Sequence, residues 1–248
     1  MGSTMKNKVG IVFIGTNKYI EFFPRYYQSL ESNFLKDSQK TYFVFTDQPN
    51  NEYFDQPNVK ISEIEHQGWP YITLYRFKFM AKIRKQLEDF DWIFFIDADL
   101  MAVSPMSEEE MLGHGFPLIG VQHPGFIGKV GSFETDPKSL ACIFDGKYDL
   151  TKYRQGCFWG GKSKEFLDMI VELERRVDVD LQNEIVAVWH DESQMNKYFV
   201  ERNDQVHTLH PGYATPQHGY DHIKTKYESK FLHLHKDLQE FPRFARAK

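Results

Sequence analysis

The sequence predicts an α/β protein built on a largely parallel sheet with helices on both faces. Three observations carry that expectation. Short, continuous apolar runs rich in β-branched and aromatic residues recur along the first part of the chain, the pattern of strands buried on both faces. Between them lie segments whose apolar residues are spaced by helical turns. One run then ends abruptly in Asp97-Ala98-Asp99, where ligands bind in such sheets, at the carboxyl end of a strand beside a topological switch point.

The first run is Val9 to Ile14 (VGIVFI), followed by the turn-prone Gly15-Thr16-Asn17. Tyr19 to Leu35 predicts a helix, with Phe22, Tyr26, Leu30 and Phe34 on one face. Thr41 to Thr46 (TYFVFT) reads as a second strand, ended by Asp47-Gln48-Pro49, and Val59 to Ile64 as a weaker third. Gly68-Trp69-Pro70 punctuates the chain before a helix marked by Leu74, Phe77, Ala81 and Leu87. Asp91 to Ile96 (DWIFFI) is again a buried strand, so the alternation gives parallel pairing. Beyond Ser104 the pattern loosens, and the Gly- and Pro-rich stretch from Gly113 to Pro137 reads as long functional loops. Ser163 is placed to cap a helix carrying Phe166, Ile170, Leu173 and Val177, and another helix is expected near Asp191. The tail from Gln239 is basic and poorly patterned, and is expected to be mobile.

Composition narrows the function classes. A chain of 248 residues with 41% hydrophobic content can build one sizeable core. The net charge of -5 and the lack of a long basic run argue against nucleic acid as a partner; Lys82, Arg84 and Lys85 read as the wet face of a helix. Cys142 and Cys157 are expected as free thiols in a reducing compartment. No apolar run approaches the ~18 residues that span a bilayer, and no signal-peptide pattern opens the chain. A soluble, cytoplasmic protein is expected, with Met1-Gly2-Ser3-Thr4 a cloning scar before a natural start at Met5.

Two segments concentrate chemistry. In Asp97-Ala98-Asp99, residues i and i+2 of extended chain share a face, so two carboxylates can be aimed at one hard cation. Such an ion would neutralise charge on a departing nucleoside diphosphate; the plainer alternative is a solvated turn. Trp189-His190-Asp191-Glu192-Ser193 gathers an aromatic, an imidazole and two acids at an expected helix start, where the dipole favours anions. A carboxylate there suits a nucleophile or a stabiliser of a developing oxocarbenium ion, and Trp189 offers a face to a sugar ring. A capped helix with a buried Trp fits the same segment. His123, in His123-Pro124-Gly125-Phe126, could hydrogen-bond a sugar hydroxyl, and Gly160-Gly161 reads as a tight strand end where backbone approaches a ligand.

Taken in order, Phe45-Thr46-Asp47-Gln48-Pro49, Gly68-Trp69-Pro70, Asp97-Ala98-Asp99, His123-Pro124-Gly125-Phe126, Phe158-Trp159-Gly160-Gly161 and Trp189-His190-Asp191-Glu192-Ser193 with Asn196-Lys197-Tyr198 resemble glycosyltransferase family 6, over nearly the whole chain after Lys8. The family includes the histo-blood-group A and B transferases and α-1,3-galactosyltransferase. The resemblance implies a GT-A fold, with a Rossmann-like, mostly parallel sheet, and a retaining hexosyltransferase that moves galactose or N-acetylgalactosamine from a UDP-sugar to an oligosaccharide or glycan acceptor in an α-1,3-type linkage. Mn2+, or Mg2+ or another divalent ion, would sit on Asp97 and Asp99.

By the same resemblance Glu192 is the catalytic carboxylate and Arg76 contacts the donor sugar. Gly15, Thr16 and Tyr19 hold base and ribose, while Lys236, Arg243 and Arg246 close over the diphosphate. His123, Trp189, His190 and Asp191 line the acceptor side, and Gln155 and Cys157 tune donor choice, the bulk of Cys157 favouring galactose. The implied organisation is a single catalytic domain over residues 5–248, with a nucleotide-binding half at 5–104, an acceptor-binding half at 105–238 and the basic tail at 239–248. The segment Ser132-Phe133-Glu134-Thr135-Asp136-Pro137 departs from the Phe-Thr-Tyr-Glu-Arg-Arg of many relatives and leaves the acceptor open. Three rival readings are a family 8-like enzyme using a C-terminal histidine such as His233 or His235 as metal ligand, a glycoside hydrolase built on Glu192 with Asp191 or Glu134, and a sugar-binding module.

Overall fold

The computed structural model describes residues 6–143 and 146–236. The strands are β1 (Lys8–Ile14), β2 (Gln39–Thr46), β3 (Val59–Glu63), β4 (Trp92–Ile96), β5 (Leu100–Ala102), β6 (Leu118–Gln122), β7 (Arg154–Lys162), β8 (Val206–Leu209), β9 (Thr215–Pro216) and β10 (Phe231–His233). The helices are α1 (Phe23–Asn33), α2 (Tyr71–Leu74), α3 (Arg76–Lys82), α4 (Arg84–Leu87), α5 (Glu108–Leu112), α6 (Ser163–Gln182), α7 (Asp191–Glu201) and α8 (Asp221–Lys224). They form a mixed α/β architecture of the kind expected.

Seven strands make the central sheet in the order β3-β2-β1-β4-β7-β6-β8, and β5, β10 and β9 make a small second sheet. All neighbours in the large sheet pair in parallel except β7, which runs antiparallel to both β4 and β6. The chain reverses its direction of travel across the sheet between β1 and β4, so a crevice opens beyond their carboxyl ends. Because β7 is reversed, its beginning, Arg154 to Cys157, arrives at that same edge.

The apolar runs are continuous because both sheet faces are covered. On one face Ile11 and Phe13 of β1 and Phe94 and Ile96 of β4 pack with Phe23, Tyr26 and Leu30 of α1 and with Phe231. On the other, Val12, Ile93, Phe95 and Trp159 pack with Phe77 and Met80 of α3, Phe166 and Ile170 of α6 and Phe199 of α7. Period-two alternation thus feeds two cores from one sheet.

Several expectations change. Ser163 does not cap its helix but is the first residue of α6, its Oγ donating to the Leu87 carbonyl, and the helix expected around Leu74 to Leu87 is broken into α2, α3 and α4. The helix expected over Tyr19–Leu35 begins only at Phe23, after a 3-10 turn at Asn17–Phe22, because Pro24 lacks the N–H that a helix interior needs. The stretch Gly113–Pro137 is not all loop: Leu118–Gln122 forms β6, an interior strand too short to stand out among glycines. Gly160 and Gly161 face no ligand. They pair with Phe94 and Ile93 inside the sheet, and a Cβ on Gly160 would come within 2.4 Å of the Phe94 ring. The basic tail at 239–248, with Arg243 and Arg246, and residues 1–4 lie outside the described residues.

Candidate active site

The acidic turn sits where β4 runs out. Asp97 gives its N–H to the Cys157 carbonyl (2.8 Å) and accepts from Leu100 (3.0 Å), which closes the turn carrying Asp97 and Asp99. β5 follows at once and pairs with β10 so that Leu100 stands opposite His233, while the Leu234 N–H bonds the Asp99 carbonyl (2.9 Å). That register lays His233 against both acids, with Nε2 3.4 Å from Asp99 Oδ1 and 3.9 Å from Asp97 Oδ2. Lys236 Nζ lies 2.5 Å from Asp99 Oδ2 and over the Tyr19 ring.

The two aspartates titrate apart. Burial pushes the Asp97 carboxyl up, against the pull of Arg76 and with the push of Asp99. Burial would raise Asp99 too, but His233 and Lys236 outweigh it and hold that carboxyl well below the usual carboxylate range. Carboxylate oxygens of Asp97 and Asp99 and a ring nitrogen of His233 lie within 4.8 Å of one another. Hard oxygens and an imidazole at that spacing fit a divalent metal ion.

Glu192 lies in the first turn of α7, half-buried. Tyr153 Oη donates to its Oε1 (2.7 Å) and the Gly156 N–H to its Oε2 (2.8 Å). Burial pushes its pKa up to about 7 even against these two donors. Asn196, one turn on, accepts the Arg154 N–H (2.8 Å) and donates to the carbonyls of Arg154 (2.7 Å) and Glu192 (3.0 Å), which locks α7 to β7. His190 precedes the helix at φ 55 and ψ -122, a strained conformation for a residue with a Cβ. Its ring packs edge-on to Trp69, with centroids 4.5 Å apart.

Arg76 joins the two acidic groups. Its Nη1 lies 2.9 Å from Asp191 Oδ2 and donates to the Gly156 carbonyl (3.2 Å), while Nη2 reaches Asp97 Oδ1 at 3.5 Å. The guanidinium carbon sits 4.4 Å from the Phe95 ring centroid, and Nε has no partner among the described residues.

On the far side of Glu192, Trp189 is 43% exposed, its indole N–H bonded to Ser132 Oγ (2.7 Å). Glu134 accepts from the N–H groups of Thr135, Asp136 (both 2.7 Å) and Val188 (2.6 Å) and so pins the loop leading to Trp189. A carboxylate occupied this way is not free for glycoside hydrolysis. His123 Nδ1 accepts from the Gly125 N–H (3.0 Å), and burial, with His233 nearby, pushes its pKa down to about 4. The neutral ring therefore carries its proton on Nε2 and has one N–H to donate.

At the end of β1, Gly15 donates to the Phe45 carbonyl (3.0 Å), Thr16 Oγ1 meets His66 Nδ1 at 2.9 Å, and the Tyr19 N–H bonds the Thr16 carbonyl (3.1 Å). Gln155 reaches toward His233, whereas the Cys157 thiol is 2% exposed in the apolar cluster beneath the turn. Most of the described residues singled out from sequence thus gather on one sheet edge, while the Cys157 side chain is buried beneath it and Gly160 and Gly161 lie within the sheet.

Sequence reasoning missed Tyr153, Gly156 and His66, named Glu134 and His233 only in rival readings, and noted Ser132 only within a segment that departs from many relatives. Tyr153 and Gly156 carried a signal, since Gly156 lies between Gln155 and Cys157 and Tyr153 stands two residues before them. His66 had none. Among the described residues no helix is long and apolar enough to cross a membrane.

The sequence model of glycosyltransferase family 6 matches residues 2–239. The chain is 31% identical to the O-antigen biosynthesis glycosyltransferase WbnI of Escherichia coli, over 77% of this chain and 81% of that protein. It is 26% identical to histo-blood group ABO system transferase 1 of Rattus norvegicus (84% of this chain, 61% of that one). It is 24% identical to globoside alpha-1,3-N-acetylgalactosaminyltransferase 1 of Gallus gallus (90% and 65%). The chain therefore spans less than two thirds of these two animal relatives.

Proposed function

The chain belongs to glycosyltransferase family 6, and from that premise we propose that it moves galactose or N-acetylgalactosamine from a UDP-sugar to an acceptor sugar. The linkage formed is of the α-1,3 type, with retention at the anomeric carbon and with Mn2+ as the preferred divalent ion. The observation that carries this reading is the Arg76 guanidinium, which touches Asp97 on one side and Asp191, the neighbour of Glu192, on the other. A leaving-group end and a carboxylate end are thereby fixed on one rigid frame.

Asp97 and Asp99 would hold the ion, which supplies Lewis-acid stabilisation of negative charge on the departing diphosphate. Gly15, Thr16 and Tyr19 receive the uridine at the end of β1, and Lys236, with Arg243 and Arg246, adds positive charge over the diphosphate. Arg76 and Gln155 face the donor sugar, and Cys157 sets the room beneath it. Glu192 faces the anomeric carbon as nucleophile or electrostatic stabiliser, roles that need it ionised. Tyr153 and Gly156 aim its oxygens. His123, His190 and Trp189 receive the acceptor, the indole face against a sugar ring and the His123 Nε2–H toward a hydroxyl. Residues 5–104 then serve the nucleotide, 105–238 the acceptor and 239–248 as a basic tail. A screen of UDP-sugars with Mn2+ or EDTA, against lactose and fucosylated acceptors, tests this. Acceptor-dependent UDP release lost in EDTA is expected; no release with any donor would refute it.

A further inference from the structure

Beyond the two aspartates, His233 has no role in the reading above, yet it is the residue that the small sheet delivers to the acidic turn. We propose that His233 Nε2 is a third protein ligand of the divalent ion, that Gln155 orients it, and that the Lys236 ammonium keeps the seat while the ion is away. This rests on the assignment of Asp97 and Asp99 as the cation site.

Three features of the geometry carry it. His233 Nε2, not Nδ1, points at both carboxylates, and the three candidate ligand atoms fall within 4.8 Å. The opposite ring nitrogen, Nδ1, lies 3.5 Å from the amide nitrogen of Gln155, whose Oε1 is buried with no partner among the described residues. Turning that amide over gives the orphaned oxygen the Nδ1–H to accept, and leaves the Nε2 lone pair facing the acids. A metal-binding imidazole is held in that tautomer by an acceptor at its far nitrogen. Third, Lys236 Nζ already places one positive charge 2.5 Å from Asp99 Oδ2. An ammonium in contact with a ligand oxygen is a tethered competitor: an arriving ion must displace it, which frees it toward an anionic diphosphate.

The test is Mn2+ binding to the whole protein, followed by calorimetry and by pulsed EPR, with and without UDP. Wild-type protein should show the nitrogen-14 modulation of a directly bound imidazole. His233→Gln should lose that modulation and weaken Mn2+ binding about tenfold or more. Gln155→Leu should weaken binding while the modulation persists, and Lys236→Met should tighten Mn2+ binding in the absence of UDP. Mn2+ bound to wild type without nitrogen modulation, or with unchanged affinity in His233→Gln, would overturn the ligand assignment alone. Weaker or equal binding in Lys236→Met would overturn the seat-keeping role. No Mn2+ uptake by wild type, with or without UDP, would bring down the cation site itself.

Discussion

Glu192→Gln offers the sharpest test of how the site is built, because it can be read without substrate or metal. In the folded protein the Glu192 carboxyl titrates near 7, against an ordinary value of 4.5, chiefly because burial penalises its charge. Between these two values the folded chain holds a proton that the unfolded chain has released, so stability falls as pH rises. The favourable contribution of the neutral carboxyl is fully present below about 4.5 and is lost as pH climbs through about 7. At about 1.4 kcal/mol per pKa unit, the interval is worth about 3 kcal/mol. Glutamine does not titrate, and its amide can keep both partners, its oxygen accepting from Gly156 and its nitrogen donating to Tyr153 Oη. Relative to wild type, Glu192→Gln should therefore gain about 3 kcal/mol between pH 4.5 and pH 8.5. Thermal melts of both proteins in EDTA across that range read the effect as a Tm difference widening by roughly 6–12 °C. A Tm difference that stays constant with pH would refute the claim that the Glu192 carboxyl is desolvated and under-compensated. The same titration gives activity its sign: kcat should rise with pH through about 7 if the ionised carboxylate is the working form.

Four further outcomes are expected. Tyr153→Phe removes a donor to the ionised form of Glu192, so the pH midpoint of kcat should move up by about one unit, and an unmoved midpoint would count against that contact. Asp99→Asn should abolish most Mn2+-dependent UDP release while circular dichroism stays native, since one charged ligand is lost. Glu134→Ala strips three backbone N–H groups of their acceptor; it should cost about 1–3 kcal/mol in denaturant unfolding and raise acceptor KM more than donor KM. Cys157→Gly, compared with wild type on UDP-galactose and UDP-N-acetylgalactosamine, should shift turnover toward the larger donor, and an unchanged ratio would remove the steric argument.

How much was legible in the sequence follows from what each signal depends on. Strands β1, β2 and β4 were readable because burial on both faces leaves a run with no polar interruption, and the Asp97 turn was readable because it breaks such a run. β6, β8 and β10 were not, since three to five residues with a glycine or histidine inside look like loop until their partners are known. The roles of Asp97, Asp99 and Glu192 could be proposed from local pattern. The surroundings of these residues could not: Tyr153 reaches Glu192 across 39 positions, and Glu134 reaches Val188 across 54. His233 comes to Asp99 only through the β5–β10 register. Long-range pairing has no local signature, which is why the acids were visible and their partners were not.

The reversed run of β7 has an evolutionary consequence. A strand laid against the grain of its neighbours offers its beginning at the edge where β4 ends, so the described residues between the close of β6 at Gln122 and the opening of β7 at Arg154 belong to an excursion from that edge. Lengthening or rewriting such an excursion adds entropy only slowly with its length, and it breaks no ladder bond of the sheet. A lineage can therefore revise that excursion while inheriting, untouched, the acidic turn at the end of β4.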